Sequence, residues 1–375
     1  MEAMDLIGID PGIWLRRRVL VTGHTGFKGS WLVLWLLELG AEVYGYSLEA
    51  EPVIPPHSSL FQGLNLKKRL GFRHFVGDIN DSSALQEAVS IAQPEVVIHL
   101  AAQSLVRRSY LDPVTTWGTN VQGSLNLLQS LRQLQHSCAV VLVTTDKIYA
   151  NREWEWGYRE DDRLGGHDPY SASKAAMELM AQSWRASFCG NNSHQTPFLH
   201  IATARSGNVI GGGDWSDDRI IPDAIRALIS GEPISVRNPL ATRPWQHVLE
   251  PLAGYLLLAQ QLISVPSMHT TAYNFGPDSA SNRTVQDLVE QILLHWPSFA
   301  SWSNASDSGA PHEAGLLHLV ADRAKQHLGW RPIWDFATTV EKTVNWYSNV
   351  LNGNSSFDCC MSDLRSYIVS AEYKS

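Results

Sequence analysis

The chain has 375 residues, of which 44% are hydrophobic and 18% charged, and its net charge is −8. This size and apolar content suit one large or two modest domains, while the acidic balance and the lack of long basic runs argue against a nucleic-acid or membrane-surface role. The longest apolar stretch, residues 31–39, is too short to span a bilayer. The four cysteines lack metal-ligand spacing, so we expect free thiols and no metal site. Free thiols are typical of the reducing cytoplasm, and we therefore expect a cytoplasmic protein.

Strand-like and helix-like patterns alternate through the first half of the chain. Predicted strands cover residues 18–22, 41–47, 72–76, 96–100, 139–145 and 200–205, and predicted helices cover 29–39, 82–92, 114–135 and 169–188. A proline-rich loop is predicted at 51–57. This alternation is typical of an α/β fold with a doubly wound parallel sheet and right-handed crossovers.

The pattern becomes irregular after residue 205. Helices are predicted near 219–230, 247–262, 283–294 and 336–350, and residues 273–276 are expected to return to the first sheet. We therefore predict a nucleotide-binding domain at 15–205 with a short return near 270–277, and a smaller α/β substrate domain at 206–350. Residues 351–375 are predicted to form a polar tail with a short helical patch at 364–369.

A glycine-rich turn follows the first predicted strand. Glycines 23, 26 and 29 allow the chain to turn sharply and to approach a pyrophosphate, and the next helix points its first amides at the negative charge. The Gly-x-x-Gly-x-x-Gly spacing is one residue away from the commoner Gly-x-Gly-x-x-Gly. By itself it also fits an ordinary helix start, so the turn indicates a dinucleotide site only with further support.

Two later features supply that support. Tyr170 and Lys174 lie four apart on a predicted helix, and a neighbouring ammonium favours a phenolate that can exchange a proton with a sugar hydroxyl. The strand at 139–145 ends in hydroxyl and charged side chains, at the edge where α/β folds place their chemistry.

The glycine turn, the strand end and the Tyr/Lys helix occur here in the order seen in extended short-chain dehydrogenases/reductases, which the chain resembles. Five runs look like the CDP-glucose 4,6-dehydratases within that superfamily: residues 22–31, 144–149, 151–160, 205–215 and 243–251. The resemblance extends from about residue 14 to about 347. It implies a Rossmann-type fold, bound NAD, CDP-glucose as a small-molecule substrate, and a homodimer or higher homo-oligomer.

The resemblance also implies which residues hold the cofactor. They are Gly23, Thr25, Gly26, Phe27, Gly29, Ser47, Asp78, Ile79, Leu100, Ala101, Ala102 and Asn120, together with Tyr170 and Lys174. Asn120 is expected to brace the site, and Asp78 either contacts the adenine or caps the helix that begins near Ser82. Ser47 stands where NAD-binding folds usually carry Asp or Glu, and the lack of an arginine in that loop favours NAD over NADP.

For the reaction, the resemblance gives Tyr170 the role of removing the 4-hydroxyl proton and Lys174 that of tuning Tyr170. Thr145 would hydrogen-bond the 4-oxygen, Asp146 would protonate the leaving 6-hydroxyl, and Lys147 would remove the C5 proton. The alternative reading of Asp146 and Lys147 is an ordinary surface turn.

Four residues are expected to hold the substrate: Ser104, Asn208, Arg219 and Arg243. Arginine suits phosphate geometry, although Arg219 could equally form a surface ion pair. Two other functions fit the same fold, namely a nucleotide-sugar 4-epimerase and a non-catalytic NAD-sensing protein. The epimerase needs no acid and base at C5–C6, and the sensor does not need the Tyr/Lys pair.

Overall fold

A parallel β-sheet forms the centre of the computed structural model, which describes residues 8–51, 58–189, 198–306 and 315–373. Most of the predicted proline-rich loop, residues 52–57, lies outside the described residues. The strands are β1 Arg18–Thr22, β2 Glu42–Ser47, β3 Phe72–Val76, β4 Val96–His99, β5 Cys138–Thr145, β6 Leu199–Ser206, β7 Val209–Ile210, β8 Ile234–Val236, β9 Thr242–Pro244, β10 Gln246–His247, β11 Ala272–Phe275, β12 Asn282–Thr284 and β13 Trp302–Asn304.

Helices cover both faces of this sheet. They are α1 Pro11–Trp14, α2 Phe27–Glu38, α3 Leu60–Gly63, α4 Ser82–Ala92, α5 Val106–Leu111, α6 Pro113–Trp117, α7 Gly123–Leu131, α8 Pro169–Phe188, α9 Ile220–Ser230, α10 Leu249–Ser264, α11 Pro266–His269, α12 Val285–His295, α13 Asp322–Leu328, α14 Phe336–Leu351 and α15 Ser356–Glu372. A π-helical turn, Gly118–Gln122, joins α6 to α7, so the predicted helix at 114–135 is a composite that ends four residues early.

The main sheet has seven strands in the order β11-β6-β5-β4-β1-β2-β3, and every neighbouring pair is parallel. Alternate residues of β5 enter different cores: Val141 and Val143 pack in one hydrophobic cluster, and Val140 and Leu142 in another. A strand with both faces buried is expected in a doubly wound sheet. The predicted α/β fold class and the return of residues 272–275 to the sheet are confirmed.

The register brings the ends of five strands together at one edge. Thr22 pairs with His99, and Thr145 pairs with Ser206, which in turn pairs with Phe275. The side chains that follow β1, β4, β5 and β6 therefore meet at the carboxyl edge, where ligands bind in open α/β sheets.

The C-terminal segment is a helix of 17 residues, longer than the predicted patch at 364–369. Ser355 caps it, and its buried face includes Cys360, Leu364 and Tyr367. The Tyr367 hydroxyl donates to the buried carboxylate of Glu250 at 2.8 Å, which fixes α15 to α10. Polar residues of the outer face of α15 stand between these buried residues in the sequence, so the apolar periodicity of the helix is weak. None of the helices in the described part of the chain has the length and apolar character that crossing a membrane requires.

Candidate active site

A cleft of about 1390 Å³ opens at the carboxyl edge of the sheet. Of the residues that the sequence assigns to the site, all except Asn120 line this cleft. The fold therefore gathers side chains from the whole length of the first 243 residues around one cavity.

The glycine turn closes one wall of the cleft, and its glycines serve different purposes. Gly23 has φ +73°, and a Cβ there would lie 2.6 Å from the backbone nitrogen of Ala101, so the turn itself demands glycine. A Cβ on Gly26 would meet only the Gly23 carbonyl oxygen, at 3.5 Å, so the protein fold does not require glycine there. A glycine that faces the cleft without an internal reason fits the close approach of a dinucleotide phosphate.

The residues after β2 give the cleft a polar end. The hydroxyls of Thr25 and Ser47 lie 2.7 Å apart, and Thr25 also donates to the carbonyl of Leu48, so Ser47 is the donor to Thr25. Glu49 lines the cleft and pairs with Lys67 at 3.3 Å. The sequence prediction did not include this cation, because Lys67 lies 18 residues after Glu49 and outside the loop that follows β2.

Asp78 does not cap the following helix. The N-cap of α4 is Asp81, whose carboxylate accepts from the backbone nitrogens of Ser83 and Ala84. The Asp78 carboxylate accepts from Asn80 at 2.9 Å and lines the cleft. The geometry therefore removes the capping alternative and leaves the adenine role as a prediction.

Asn120 lies beneath the cleft instead of lining it. Its side chain accepts from the Gln103 backbone nitrogen at 2.9 Å and donates to the Ser173 hydroxyl at 2.9 Å. It thus ties the loop after β4 to the helix that carries Tyr170. This is the expected bracing position, and the predicted direct contact with cofactor has no support in its placement.

The catalytic candidates form one connected group at the end of β5. The Thr145 hydroxyl donates to Asp146 Oδ1 at 2.9 Å, and the Thr145 side chain also hydrogen-bonds with Tyr170. Lys147 Nζ lies 3.9 Å from Asp146 Oδ1. Asp146 is 1% exposed, and its Oδ2 has no hydrogen-bond partner within the described residues. A surface turn would leave this carboxylate in water, so that alternative is wrong for Asp146.

Burial in the cleft wall raises the pKa of Tyr170 to about 12, and the hydrogen bond with Thr145 only partly offsets it. Burial lowers the pKa of Lys174 to about 8, against the field of Glu178 one turn further along α8. Lys174 Nζ donates to the Val143 carbonyl at 3.1 Å. The expected lowering of the Tyr170 pKa by Lys174 is therefore not the dominant effect here; desolvation is.

The four substrate candidates line the same cleft. Arg219 donates to Asp214 Oδ2 at 2.8 Å and to the Ser104 hydroxyl at 3.0 Å, so two predicted substrate residues touch each other. Asn208 Oδ1 is buried and has no hydrogen-bond partner in the part of the chain that the structure describes, as expected of an atom kept for a ligand. Arg243 lines the cleft and donates to the carbonyl of Thr242 at 2.8 Å.

The sequence interpretation missed one cleft residue with unusual surroundings. Lys28 follows the glycine turn directly and donates from Nζ to the Ser206 hydroxyl at 2.9 Å. It belongs to the run at 22–31 on which the resemblance rests, but the sequence pattern gave it no role. The sequence offered one signal, a lysine inside the glycine-rich turn shortly before the apolar run at 31–39.

Comparison with known proteins decides the family. The family model described as GDP-mannose 4,6 dehydratase matches residues 20–343. The chain belongs to this family. It is 43% identical to a CDP-glucose 4,6-dehydratase of Salmonella typhimurium, over 96% of this chain and 98% of that relative. It is 29% identical to a dTDP-glucose 4,6-dehydratase of Streptomyces antibioticus, over 88% and 92% of the two chains. The resemblance inferred from sequence motifs is thus confirmed.

Solved structures of this family and of related epimerases share the fold. The dTDP-glucose 4,6-dehydratase of Streptomyces venezuelae, solved with NAD and TYD bound, aligns with a TM-score of 0.73 at 25% identity, over 88% of this chain and 97% of that one. A UDP-glucose 4-epimerase of Thermus thermophilus in complex with NAD aligns with a TM-score of 0.73 at 24% identity, over 88% and 99%. The second likeness concerns the fold alone.

Proposed function

We propose that this protein is a CDP-glucose 4,6-dehydratase, a hydro-lyase that uses NAD to convert CDP-glucose into CDP-4-dehydro-6-deoxy-glucose and water. The observation that carries the proposal is the connected group Tyr170–Thr145–Asp146, with Lys147 beside it, at the end of β5. The choice of CDP-glucose within the family follows the full-length relative at 43% identity.

The cleft residues fit NAD. The turn with Gly23 and Gly26 would hold its pyrophosphate, Ser47 and Asp78 would face its adenosine, and Lys174 would bind the nicotinamide ribose. Bound there, NAD would supply the hydride chemistry of the reaction, which is oxidation at C4 and reduction at C6.

The protein's own groups handle the protons. Tyr170 takes the proton of the 4-hydroxyl while Thr145 donates to the 4-oxygen. The resulting 4-ketone acidifies the C5 hydrogen, which Lys147 removes as Asp146 protonates the leaving 6-hydroxyl. On the substrate side, Asn208, Arg219 and Arg243 would grip the diphosphate, with Ser104 holding Arg219 in place.

A 4-epimerase on this fold is the second candidate. Epimerisation needs the proton acceptor Tyr170 but no acid for a leaving 6-hydroxyl. The buried carboxylate of Asp146, joined to Thr145 at 2.9 Å, therefore favours the dehydratase. A non-catalytic NAD-sensing protein would not need Tyr170 and Lys174, and both line the cleft.

The direct test supplies purified protein with CDP-glucose, dTDP-glucose, GDP-mannose and UDP-glucose in parallel and follows the 4-keto sugar formed. We expect product from CDP-glucose in large excess over the others. Conversion of CDP-glucose into its C4 epimer without loss of water would replace the proposal with the epimerase. Equal rates with all four substrates would refute the assignment of cytosine as the nucleobase of the substrate.

We further propose a cytoplasmic protein that forms a homodimer or a higher homo-oligomer. The acidic composition and the exposed apolar side chains of α5 and α6, among them Leu111 and Val114, support this. Light scattering on the purified protein would contradict the oligomer if it gave the monomer mass of 41.7 kDa at micromolar concentration.

A further inference from the structure

Glu153 lies in a run of sequence that the proposed reaction does not use, residues 151–160. Its backbone φ is +49°, in the left-handed region that residues other than glycine rarely adopt. Such a conformation costs free energy and persists where the surroundings of the residue hold it in place. A glycine would avoid this cost, so the contacts of the Glu153 side chain are where a reason for its presence is to be found.

Both carboxylate oxygens of Glu153 accept hydrogen bonds from within the protein. Oε2 accepts from the backbone nitrogens of Gly315 at 2.9 Å and Leu316 at 2.7 Å, and Oε1 accepts from Asn151 Nδ2 at 2.8 Å. The Asn151 side chain also accepts from the Glu153 backbone nitrogen at 3.1 Å and donates to the Leu316 carbonyl at 3.1 Å. Glu153 lines the cleft, but a negative charge with both oxygens engaged is unsuited to binding a diphosphate directly.

The peptide bond between Gly315 and Leu316 transmits this contact to Arg243. Its N–H group, on Leu316, points to the Glu153 carboxylate. Its carbonyl, on Gly315, accepts from Arg243 Nη1 at 3.3 Å and from the Thr242 backbone nitrogen at 2.9 Å. A peptide bond is planar, and in the trans form its N–H and C=O point in opposite directions, so fixing one edge also fixes the other. A hydrogen bond to a carboxylate polarises the peptide as well, which strengthens its carbonyl as an acceptor for the guanidinium.

We propose that Glu153 positions Arg243 to bind the diphosphate of the nucleotide sugar, acting through the peptide between Gly315 and Leu316. This role rests on the proposed function, in which Arg243 grips the diphosphate. Arg243 belongs to β9, whereas Glu153 follows the catalytic end of β5, which carries Lys147. The contact therefore links the two parts of the chain that one bound substrate must reach, and it favours binding of that substrate in a single orientation.

The loop that carries Glu153 is anchored to the neighbouring segment by other contacts. The Tyr158 backbone nitrogen donates to the His318 carbonyl, and the Tyr158 carbonyl accepts from the Val320 nitrogen, both at 2.9 Å. The Tyr158 side chain is 3% exposed and packs in a small hydrophobic cluster that includes Leu319. The two segments should therefore stay side by side when Glu153 is replaced, and the orientation of one peptide should change without unfolding of the loop.

The first test is a double-mutant cycle followed by CDP binding, which needs no turnover. Calorimetry on the full-length protein loaded with NAD gives the Kd of CDP for the wild type, Glu153→Gln, Arg243→Met and the double variant. We expect Glu153→Gln to weaken CDP binding about tenfold in the wild-type background. In the Arg243→Met background the loss should be less than about twofold, because the two residues act as one unit.

The sign of this effect separates positioning from a simple charge effect. Removal of a negative charge near an anion site would by itself strengthen CDP binding, whereas loss of positioning weakens it. The control is Glu155→Gln, which removes the same charge from an exposed residue of the same loop and should leave CDP binding unchanged or slightly tighter. Unchanged or tighter CDP binding in Glu153→Gln would overturn the proposal. An equal loss in the Arg243→Met background would also overturn it, because Glu153 would then act on another group.

The second test separates the side chain of Glu153 from its backbone conformation. Glu153→Gly and Glu153→Ala both lose the carboxylate, but only glycine adopts a φ of +49° freely, so Glu153→Gly should unfold at the higher urea concentration. Both variants should nevertheless raise KM for CDP-glucose about tenfold, with kcat within about threefold of the wild type. Wild-type KM in Glu153→Gly would trace the effect to the backbone and refute positioning, as would a fall in kcat at unchanged KM.

Failure of the proposed function gives a different result. The wild type would then form no 4-keto sugar from CDP-glucose, and the CDP-binding cycle would still decide whether Glu153 acts through Arg243. If Arg243→Met bound CDP as tightly as the wild type, Arg243 would not hold the diphosphate, and the positioning role of Glu153 would be wrong with it.

Discussion

The fully buried ion pair behind the active site makes a quantitative prediction. Glu178 and Arg205 both have side chains that are 0% exposed, and they make two hydrogen bonds of 2.9 Å with each other. Thr144 and Thr203 donate to the same carboxylate at 2.6 and 2.8 Å. Burial is the largest influence on Glu178 and opposes its ionisation, but the charge of Arg205 and the hydrogen bonds from Arg205, Thr144 and Thr203 together outweigh it and hold the pKa of Glu178 below its ordinary value.

Glu178→Gln keeps the shape of the side chain but leaves the guanidinium of Arg205 buried without its counter-charge. Breaking one side of a buried pair costs about 3–5 kcal/mol, a large part of the roughly 5–15 kcal/mol that stabilises a typical domain. The NH₂ group of the glutamine would also face Arg205, Thr144 or Thr203, which are themselves hydrogen-bond donors to this position. We therefore expect a loss of about 3–5 kcal/mol in the free energy of unfolding.

The same substitution should change the chemistry. Glu178 is one turn from Lys174 and opposes the lowering of its pKa by burial. Without that carboxylate the pKa of Lys174 should fall below about 8, so that less of it is charged at pH 7.5. Turnover of Glu178→Gln should consequently recover toward the wild-type value as the pH is lowered to 6.5.

Urea unfolding followed by tryptophan fluorescence gives the stability, and initial rates between pH 6 and 9 give the second effect. The control is Asp161→Asn, which removes a partner of Arg323 at 2.7 Å that is 86% exposed and should cost at most about 1 kcal/mol. If the two variants lost equal stability, the argument from burial would be wrong. If the pH–rate profile of Glu178→Gln kept its wild-type shape, Glu178 would have no influence on Lys174.

Four further predictions follow from individual residues. Tyr170→Phe should lower turnover by about 10²–10⁴-fold with the fold intact by circular dichroism, and near-normal turnover would exclude Tyr170 as the proton acceptor. Lys147→Met should bind CDP-glucose and accumulate reduced cofactor at 340 nm while exchange of the C5 hydrogen with deuterated solvent slows; full exchange would make Lys147 a bystander. NADP should not replace NAD after stripping and reconstitution, because its 2′-phosphate would meet the carboxylate of Glu49 in the cleft and compete with that carboxylate for Lys67, and equal activity with both would contradict this. Burial raises the pKa of Asp363 to about 7 from 3.8, so its contribution to stability is complete below about pH 4 and lost as pH rises through 7; Asp363→Asn should therefore gain up to about 4 kcal/mol at pH 8 but little at pH 4, and equal effects at both would refute it.

The parts of the fold predicted well from sequence are those fixed by local pattern. The apolar run of β5 and the glycine turn before α2 each specify a strand or a turn from neighbouring residues alone, and their order along the chain fixes a parallel sheet. The length of α15 was underestimated from the sequence. Its buried side chains include Met361, Leu364 and Ile368, and these can be recognised as one packed face only when α14 and Trp35 are known to lie beside the helix.

The residues of the site were likewise predicted where local pattern specifies them and missed where tertiary structure does. Thr145, Asp146, Tyr170 and Lys174 were found because each follows a strand or shares a helix face, and these relations are local. Charges brought in from elsewhere were missed, such as Lys67 beside Glu49, since that pairing depends on how the 3₁₀ turn Leu66–Lys68 packs against β3. The Tyr170 pKa was expected to fall through Lys174, yet desolvation of the phenol dominates, and burial is a property of the assembled cleft.

The protonation states of Tyr170 and Asp146 depend both on local sequence pattern and on the assembled cleft. Local pattern identifies the groups that must change protonation, and the reaction requires that Tyr170 and Asp146 return to their starting states together. Both hydrogen-bond with Thr145, so the donor and the acceptor of the returning proton share one hydroxyl. Burial raises the pKa of Tyr170 to about 12, so its phenol keeps the proton gained from the 4-hydroxyl at neutral pH, and the next turnover requires that proton to leave.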